Sequence, residues 1–311
     1  MQFFRRIRGA LLLLLAAAIW GFAFTAQTAA ADTVPPFTFN GIRSIIGGIV
    51  LAIYLKLRPV KPHATPANTI QKSKNPAIVG GIACGIALFT AVNFQQFGIS
   101  AYPDGVPVSG RGGFITALYV ILVPIFGLFF HRRISGIIWV SAAVSLGGMY
   151  LLCFKSGASG LYWGDVLVFL CALAFTGHIL IVDYFAQMAD GVTLSCVQFF
   201  VCGLLSLVGM LLFESPNWHN VLNAWLPILY AGVLSSGVAY TLQIVGQRST
   251  DPAVAPLVMS LESVFAGLGG WMILGEQMSP RELVGCALVF AAVVLAQVPE
   301  MRASRRDRAQ V

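Results

Sequence analysis

Glu262 lies in the middle of a long apolar run, Ala253–Gly275, that contains no other charged residue. A carboxylate near the midplane of a lipid bilayer costs several kcal/mol unless it faces water, a partner or a proton. Glutamate is short and both ends of the run are about ten residues away, so the side chain cannot reach the interface. We therefore predict that Glu262 either belongs to a transport pathway or forms a structural ion pair.

Arg43 is the basic counterpart of Glu262, inside the apolar run Phe37–Leu55. At 1.5 Å per residue it lies roughly 10 Å below the outer end of that run, and Glu262 lies roughly 15 Å from either face. The backbones of Arg43 and Glu262 thus differ in membrane depth by about 5 Å, a distance that an arginine side chain can bridge. Two hypotheses stay open: Arg43 pairs with Glu262, or its planar fork binds a substrate carboxylate.

Polar and aromatic residues recur at helical spacing in several other apolar runs. A side chain that faces lipid should be apolar, so these stripes must face neighbouring helices or an aqueous cavity. Hydrogen bonds between helices, at about 0.6 kcal/mol each, would explain single residues, whereas stripes on four separate helices favour a cavity. The candidate cavity residues are Trp20, Gln27, Asn40, Arg43, Phe89, Asn93, Gln96, Tyr119, His178, Gln198, Tyr240, Gln243 and Glu262.

The aromatic members of this set indicate the kind of solute. Trp20, Phe89, Tyr119 and Tyr240 would form apolar walls, and ligand sites combine such walls with a few polar anchors. Inorganic ions would require rings of carbonyls or charges instead. We therefore expect an amphipathic, small-molecule substrate.

His178 and the cysteines are the residues that could carry other chemistry. His178 could titrate near neutral pH and couple transport to protons, or it could be a neutral histidine that bonds a backbone carbonyl. The six cysteines show no C-x-x-C spacing, which predicts neither a zinc site nor a disulfide framework. No phosphate-loop motif occurs, so we expect no ATP-driven pumping, no catalytic residue, no metal and no cofactor.

Composition places the chain in a membrane. Hydrophobic residues make up 58% of the chain and charged residues only 10%, whereas a soluble domain carries about 25% charged residues. The net charge of +7 comes from basic residues in short loops between apolar runs, which argues against nucleic acid and for a lipid bilayer as partner. The first apolar run, Gly9–Ala31, is longer than a signal-peptide core, so we expect it to be an uncleaved span.

Ten membrane-spanning helices are predicted. Their approximate bounds are Gly9–Ala31, Phe37–Leu55, Ala77–Ile99, Gly113–Phe130, Ile137–Phe154, Gly164–Phe185, Thr193–Phe213, Ala224–Gly246, Ala253–Gly275 and Leu283–Gln297. Of the nineteen Lys and Arg residues, fifteen fall on the side of the N-terminus; the others are Arg43, Arg111, Lys155 and Arg281. This asymmetry predicts a multi-pass protein of the cytoplasmic membrane with both termini in the cytoplasm. Asp165, Asp183 and Glu214 fall near span ends, where we expect them at an interface.

The spans divide into five plus five. An odd number in each half makes the second half inverted relative to the first if the two are repeats, which is a transporter architecture. We predict a first repeat at residues 1–155, a second at 156–300 and a basic cytoplasmic tail at 301–311. The fold class is thus an all-α membrane protein of ten helices in two inverted five-helix repeats.

Short patches along the whole chain resemble the EamA-type transporters of the drug/metabolite transporter superfamily. The patches are Ala17–Phe24, Phe39–Arg43, Leu261-Glu262 and Leu274–Ser279 followed by Gly285. The resemblance implies ten helices around a central cavity, and transport of amino acids, other small metabolites or drugs, in many members by export. Ser263 stands where a proline commonly follows the Leu-Glu pair, which leaves a kink there in doubt.

Two other function classes are alternatives to transport. A membrane-embedded enzyme would need a paired catalytic set near one interface, and the acids and histidines here are scattered singly. An accessory membrane subunit without transport activity would not need four polar stripes at membrane depth. A non-enzymatic secondary transporter with alternating access, expected to export, is the leading hypothesis; monomer and homodimer remain alternatives.

Overall fold

The chain is all-helical, without a strand, over the residues that the structure describes. The structure is a computed structural model, and it describes residues 2–31, 33–58, 76–103, 108–129, 134–153, 160–274 and 279–298. The predicted tail at 301–311 lies outside these ranges. The α-helices are α1 (Gln2–Ala31), α2 (Pro36–Leu57), α3 (Pro76–Ser100), α4 (Val108–Thr116), α5 (Tyr119–Phe129), α6 (Gly136–Cys153), α7 (Trp163–Ala186), α8 (Gly191–Phe213), α9 (Trp218–Asn223), α10 (Trp225–Tyr230), α11 (Tyr240–Gln247), α12 (Ala255–Met259), α13 (Glu262–Leu274) and α14 (Pro280–Ala296), with a π-helix at Ala231–Ala239.

Seven helical stretches of the described chain are long and apolar enough to cross a membrane. They are Ile7–Phe24, Pro36–Leu57, Pro76–Ser100, Arg111–Phe129, Trp163–Ala186, Gly191–Phe213 and Trp225–Gln247. Gly136–Leu152 and Ala255–Gly269 are shorter apolar helices, and α14 has 17 residues. The protein is therefore a multi-pass, all-helical membrane protein, and the count of ten spans stays a prediction.

Three apolar stretches are interrupted near their middle. Residues 117–118 separate α4 from α5, the π-helix lies between α10 and α11, and residues 260–261 separate α12 from α13. At the last break the hydroxyl of Ser260 donates to the Leu257 carbonyl oxygen at 2.7 Å, which satisfies backbone freed there. The chain thus breaks directly before Glu262 although Ser263 replaces the proline.

Glycines allow several helices to pack closely. A Cβ atom on Gly285 of α14 would lie 2.6 Å from the carbonyl oxygen of Gly148 on α6, and a Cβ atom on Gly81 of α3 would lie 2.5 Å from Val197 Cβ on α8. Small residues at such crossings permit the dispersion contacts that drive helix association in lipid. The most extensive pairs are α6 with α14, α2 with α8, and α3 with both α7 and α8.

A buried ion pair joins α4 to α7. Arg111 donates through Nε and Nη2 to both carboxylate oxygens of Asp165, and the hydroxyl of Tyr102 donates to Asp165 Oδ1 at 2.8 Å. The two charged side chains are only 7% and 6% exposed. Arg111 lies in α4, which begins at Val108, and Asp165 lies in the first turn of α7, so the pair removes both side chains from solvent. The interfacial position of Asp165 stays a prediction.

Candidate functional site

A cavity that opens to solvent lies between the helices. Residues of α1, α2, α3, α4, α5, α7, the π-helix, α11, α12 and α13 line it, so both halves of the chain contribute. The lining residues are Trp20, Ala23, Phe24, Gln27, Arg43, Gln95, Thr116, Tyr119, Phe175, Ile179, Ser235, Tyr240, Gln243, Met259 and Glu262.

Arg43 brings a positive charge to this cavity. The side chain is 4% exposed, its Nε donates to Asn40 Oδ1 at 2.9 Å, and the guanidinium carbon lies 5.5 Å from the centre of the Phe39 ring. Within the described part of the chain the guanidinium makes no other hydrogen bond and no ion pair. The charge is therefore oriented but not neutralised by the protein.

Glu262 brings a carboxyl group to the same cavity. It is the first residue of α13, directly after the break at residues 260–261, and its side chain is partly exposed. Its carboxylate forms no ion pair with a described residue, and its oxygens lie more than 4 Å from the nitrogens of Arg43. Of the two hypotheses for these residues, the structure favours separate groups that face one space.

Aromatic rings form part of the cavity wall. The ring centres of Trp20 and Tyr240 are 4.8 Å apart in an edge-to-face arrangement, and Phe199 packs behind Tyr240 at 5.4 Å. The indole N–H of Trp20 and the Oε1 atom of Gln243 are buried and have no hydrogen-bond partner among the described residues. The wall therefore presents one donor and one acceptor in addition to apolar surface.

A chain of side-chain amides crosses one part of the wall. Gln27 Nε2 donates to Gln96 Oε1 at 2.8 Å and to Gln95 Oε1 at 3.3 Å, and Gln95 Nε2 donates to Thr116 Oγ1 at 3.3 Å. These bonds connect α1, α3 and α4. Gln27, Gln95 and Thr116 therefore both form interhelical hydrogen bonds and line the cavity.

Seven of the thirteen candidate residues line the cavity: Trp20, Gln27, Arg43, Tyr119, Tyr240, Gln243 and Glu262. The six others do not line it. Asn40 bonds Arg43 and Asn93, Gln96 bonds Gln27, and the ring of Phe89 stacks on Phe37 at 6.2 Å. His178 and Gln198 bond each other at 3.1 Å, so the partner of His178 is a side-chain amide and not a backbone carbonyl. A role of any of the thirteen in substrate binding stays a prediction.

Gln95, Phe175, Ser235 and Met259 line the cavity but were not among the candidates. Adjacent residues on a helix point about 100° apart, so the Gln95-Gln96 pair could have signalled two polar faces. Ser235 lies in the π-helix, whose widened turn displaces the 3.6-residue spacing. Apolar Phe175 and Met259 carry no signal that separates them from lipid-facing residues.

The chain is similar along most of its length to proteins named as transporters. The chain is 29% identical to an uncharacterized transporter of Archaeoglobus fulgidus over 94% of this chain and 86% of that protein. It is 25% identical to the uncharacterized inner membrane transporter YedA of Escherichia coli K12 over 89% and 86%, and 28% identical to the uncharacterized transporter YwfM of Bacillus subtilis over 92% of each chain.

A solved crystal structure shares the fold, with a TM-score of 0.75 at 20% identity over 95% of this chain and 98% of the other. The model of the EamA-like transporter family matches residues 7–154 and 162–297, nearly the entire chain. With the multi-pass helical fold and the central cavity, this match establishes that the chain belongs to the EamA-like transporter family.

Proposed function

We propose that this chain is a secondary transporter that moves a small amphipathic solute, an amino acid or another organic metabolite, across the cytoplasmic membrane by alternating access. The observation that carries the proposal is the cavity, where Arg43 and Glu262 face one space without pairing. Unneutralised charges at membrane depth are costly, so a solute of complementary charge would stabilise both.

The chemistry of the lining defines the solute further. Arg43 is suited to a carboxylate and Glu262 to an amine, while Tyr119 and Tyr240 offer aromatic surface to an apolar body. The unpartnered indole N–H of Trp20 would donate to a second anionic oxygen. A zwitterion with an apolar side group satisfies all of these groups at once.

Helix pairing supports two repeats at residues 1–155 and 156–300, and five spans in each would make the second inverted. Pairs formed between the halves recur with the halves exchanged: α1 packs on α13 as α7 packs on α4, and α2 packs on the π-helix as α8 packs on α3. Helices of equal order, α2 with α8 and α6 with α14, pack on each other. This exchange is expected when two five-span units surround one site.

Alternating access is supported by the broken helices at the cavity. Ser235 lies in the π-helix, and Met259 and Glu262 flank the break at residues 260–261. Discontinuous helices at a central site recur in transporters whose two halves move relative to each other. The basic-residue asymmetry supports cytoplasmic termini, and the family resemblance supports export.

Flux into liposomes that contain the purified protein tests the proposal. Three probes of similar size separate the charges: L-phenylalanine, 3-phenylpropionate and 2-phenylethylamine. We expect the zwitterion to move fastest, Arg43→Gln to slow the two acids, and Glu262→Gln to slow the two amines. Rates equal to those of protein-free liposomes for every probe would contradict the proposal.

Growth of cells that express the chain tests direction. Toxic amino-acid analogues should inhibit these cells less than control cells if the protein exports them. Greater inhibition would reverse the proposed direction and leave the rest of the proposal unchanged.

A further inference from the structure

Arg43 is held by a side-chain amide that is itself held on its other side. Asn40, one turn before Arg43 on α2, accepts from Arg43 Nε at 2.9 Å. The Nδ2 atom of Asn40 donates to the carbonyl oxygen of Val92 at 3.1 Å and to Asn93 Oδ1 at 3.0 Å. Asn40 is fully buried and does not line the cavity. All of its hydrogen-bonding capacity that the structure shows is directed at Arg43 and α3.

The second amide extends the chain to a third helix. Asn93 Nδ2 donates to the Phe89 carbonyl oxygen at 2.8 Å and to Ser206 Oγ of α8 at 3.2 Å. Asn93 is 5% exposed and Ser206 is fully buried. Hydrogen bonds between α2, α3 and α8 therefore hold the side-chain amides of Asn40 and Asn93 in fixed orientations. Helix α8 also packs closely on α2.

These partners determine which way the Asn40 amide faces. Its NH2 group has two acceptors on α3, so its oxygen must face Arg43. The reverse orientation would place N–H groups against the guanidinium N–H and leave the buried Asn93 Oδ1 without its donor, which is unfavourable. The acceptor for Nε is thus preset before any ligand enters.

The bond to Nε restricts how Arg43 can bind an anion. A guanidinium binds a carboxylate through two parallel N–H bonds, either along its Nε–Nη edge or along its Nη1–Nη2 edge. Asn40 occupies Nε, which leaves the Nη1–Nη2 edge for a ligand. A neutral amide orients the cation without cancelling its charge, whereas a carboxylate at this position would do both.

We propose that Asn40 is a positioning residue: it holds Arg43 so that the Nη1–Nη2 edge receives an anionic group of the transported solute end-on. The inference rests on the proposed function in one respect, namely that Arg43 binds such a group. Asn40 acts through Arg43 and touches no solute.

Binding of two isosteric probes by the purified full-length protein tests this inference. The probes are 3-phenylpropionate and its neutral amide, 3-phenylpropanamide, and the measurement is Kd by titration calorimetry. Wild-type protein should prefer the carboxylate, and Arg43→Gln should remove the preference. Asn40→Ala should raise the Kd of the carboxylate probe about tenfold and change the Kd of the amide probe by less than about twofold. Asn40→Asp should abolish the preference, because it supplies Arg43 with an internal counter-charge.

Tyr102→Phe is the matched control. It removes one buried hydrogen bond, the 2.8 Å bond to Asp165, away from the cavity lining, and both Kd values should stay at wild-type levels. Size-exclusion profiles identify variants that do not fold. If Asn40→Ala does not fold, Asn40→Ser replaces it, because the shorter serine side chain does not place an acceptor at Arg43 Nε.

The outcomes separate the inference from the proposed function. If the Asn40 variants keep the carboxylate preference while Arg43→Gln loses it, Asn40 does not position Arg43 and the proposed function stands. If they weaken both probes equally, the role of Asn40 is purely structural and the inference is wrong. If wild-type protein shows no preference, or Arg43→Gln keeps it, the anionic site at Arg43 is wrong and the inference falls with it.

Discussion

The two members of the buried Arg111–Asp165 pair should contribute non-additively to stability, so that removing both charges lowers the free energy of unfolding by less than the sum of the two single losses. The perturbation is Arg111→Met and Asp165→Asn, made singly and together. Arg111 donates to both carboxylate oxygens of Asp165, and its guanidinium carbon lies 4.8 Å from the centre of the Tyr162 ring. Asp165 also accepts from the hydroxyl of Tyr102 and from the backbone N–H of Tyr162.

The magnitude follows from burial. With side chains 7% and 6% exposed, each single change leaves one charge buried without its counter-charge, which costs about 3–5 kcal/mol. Arg111→Met should cost about 3 kcal/mol, because Tyr102 and Tyr162 still donate to the carboxylate. The double variant contains neither charge, and the amide that Asp165→Asn introduces retains an acceptor for Tyr102. The double variant should therefore lose about 2 kcal/mol less free energy of unfolding than the sum of the two single variants.

The assay is equilibrium unfolding in mixed micelles at increasing fractions of a denaturing detergent, followed by circular dichroism. The pair Arg58–Asp190 is an internal control, because its N–O distance is 3.7 Å and its side chains are 42% and 34% exposed. Arg58→Met with Asp190→Asn should show coupling below about 1 kcal/mol. The reasoning would be refuted if the sum of the two single losses equals the loss of the double variant to within about 0.5 kcal/mol.

Three further predictions concern Glu262, the helix crossing of α6 and α14, and topology. Glu262→Gln should purify at the wild-type level, because Arg43 is not paired with it and no cation is stranded; loss of the protein would show that the two residues pair. Gly285→Ala should lower the unfolding midpoint, since its Cβ would lie 2.6 Å from the carbonyl oxygen of Gly148. Gly147→Ala should leave the midpoint unchanged, because its Cβ would meet no neighbouring atom within 4 Å; equal midpoints for the two variants would contradict this packing. Reporter fusions after Val311 and in the segment 56–74 should both report the cytoplasm, and an external signal from either would defeat the inverted-repeat arrangement.

The predicted spans agree with the observed helices to within a few residues in most cases. The second predicted span, Phe37–Leu55, corresponds to α2 at Pro36–Leu57, and the seventh, Thr193–Phe213, to α8 at Gly191–Phe213. Long apolar runs without alternation must bond their backbone internally in lipid, so the helix is determined locally. Breaks inside the runs were not predictable, because no proline marks the interruption before Glu262.

Part of the candidate site was also determined locally. A polar side chain at membrane depth must avoid lipid, and this physical requirement singled out Arg43, Tyr240 and Glu262, which all line the cavity. Periodicity assigns a residue to a face of its own helix. It carries no information on how that helix is rotated against others.

The tertiary structure alone decided which polar groups meet. Asn40 and Arg43 share one face of α2, yet Arg43 reaches the cavity while Asn40 turns to α3. Arg111 finds Asp165 at a sequence separation of 54, although neither was predicted to have a partner. Such pairings depend on the relative rotation and depth of helices, which close glycine crossings determine through packing between distant parts of the chain. The sequence alone thus specified a helical membrane protein with charges in its interior, and the packing of the helices specified which of those charges are neutralised and which face the cavity.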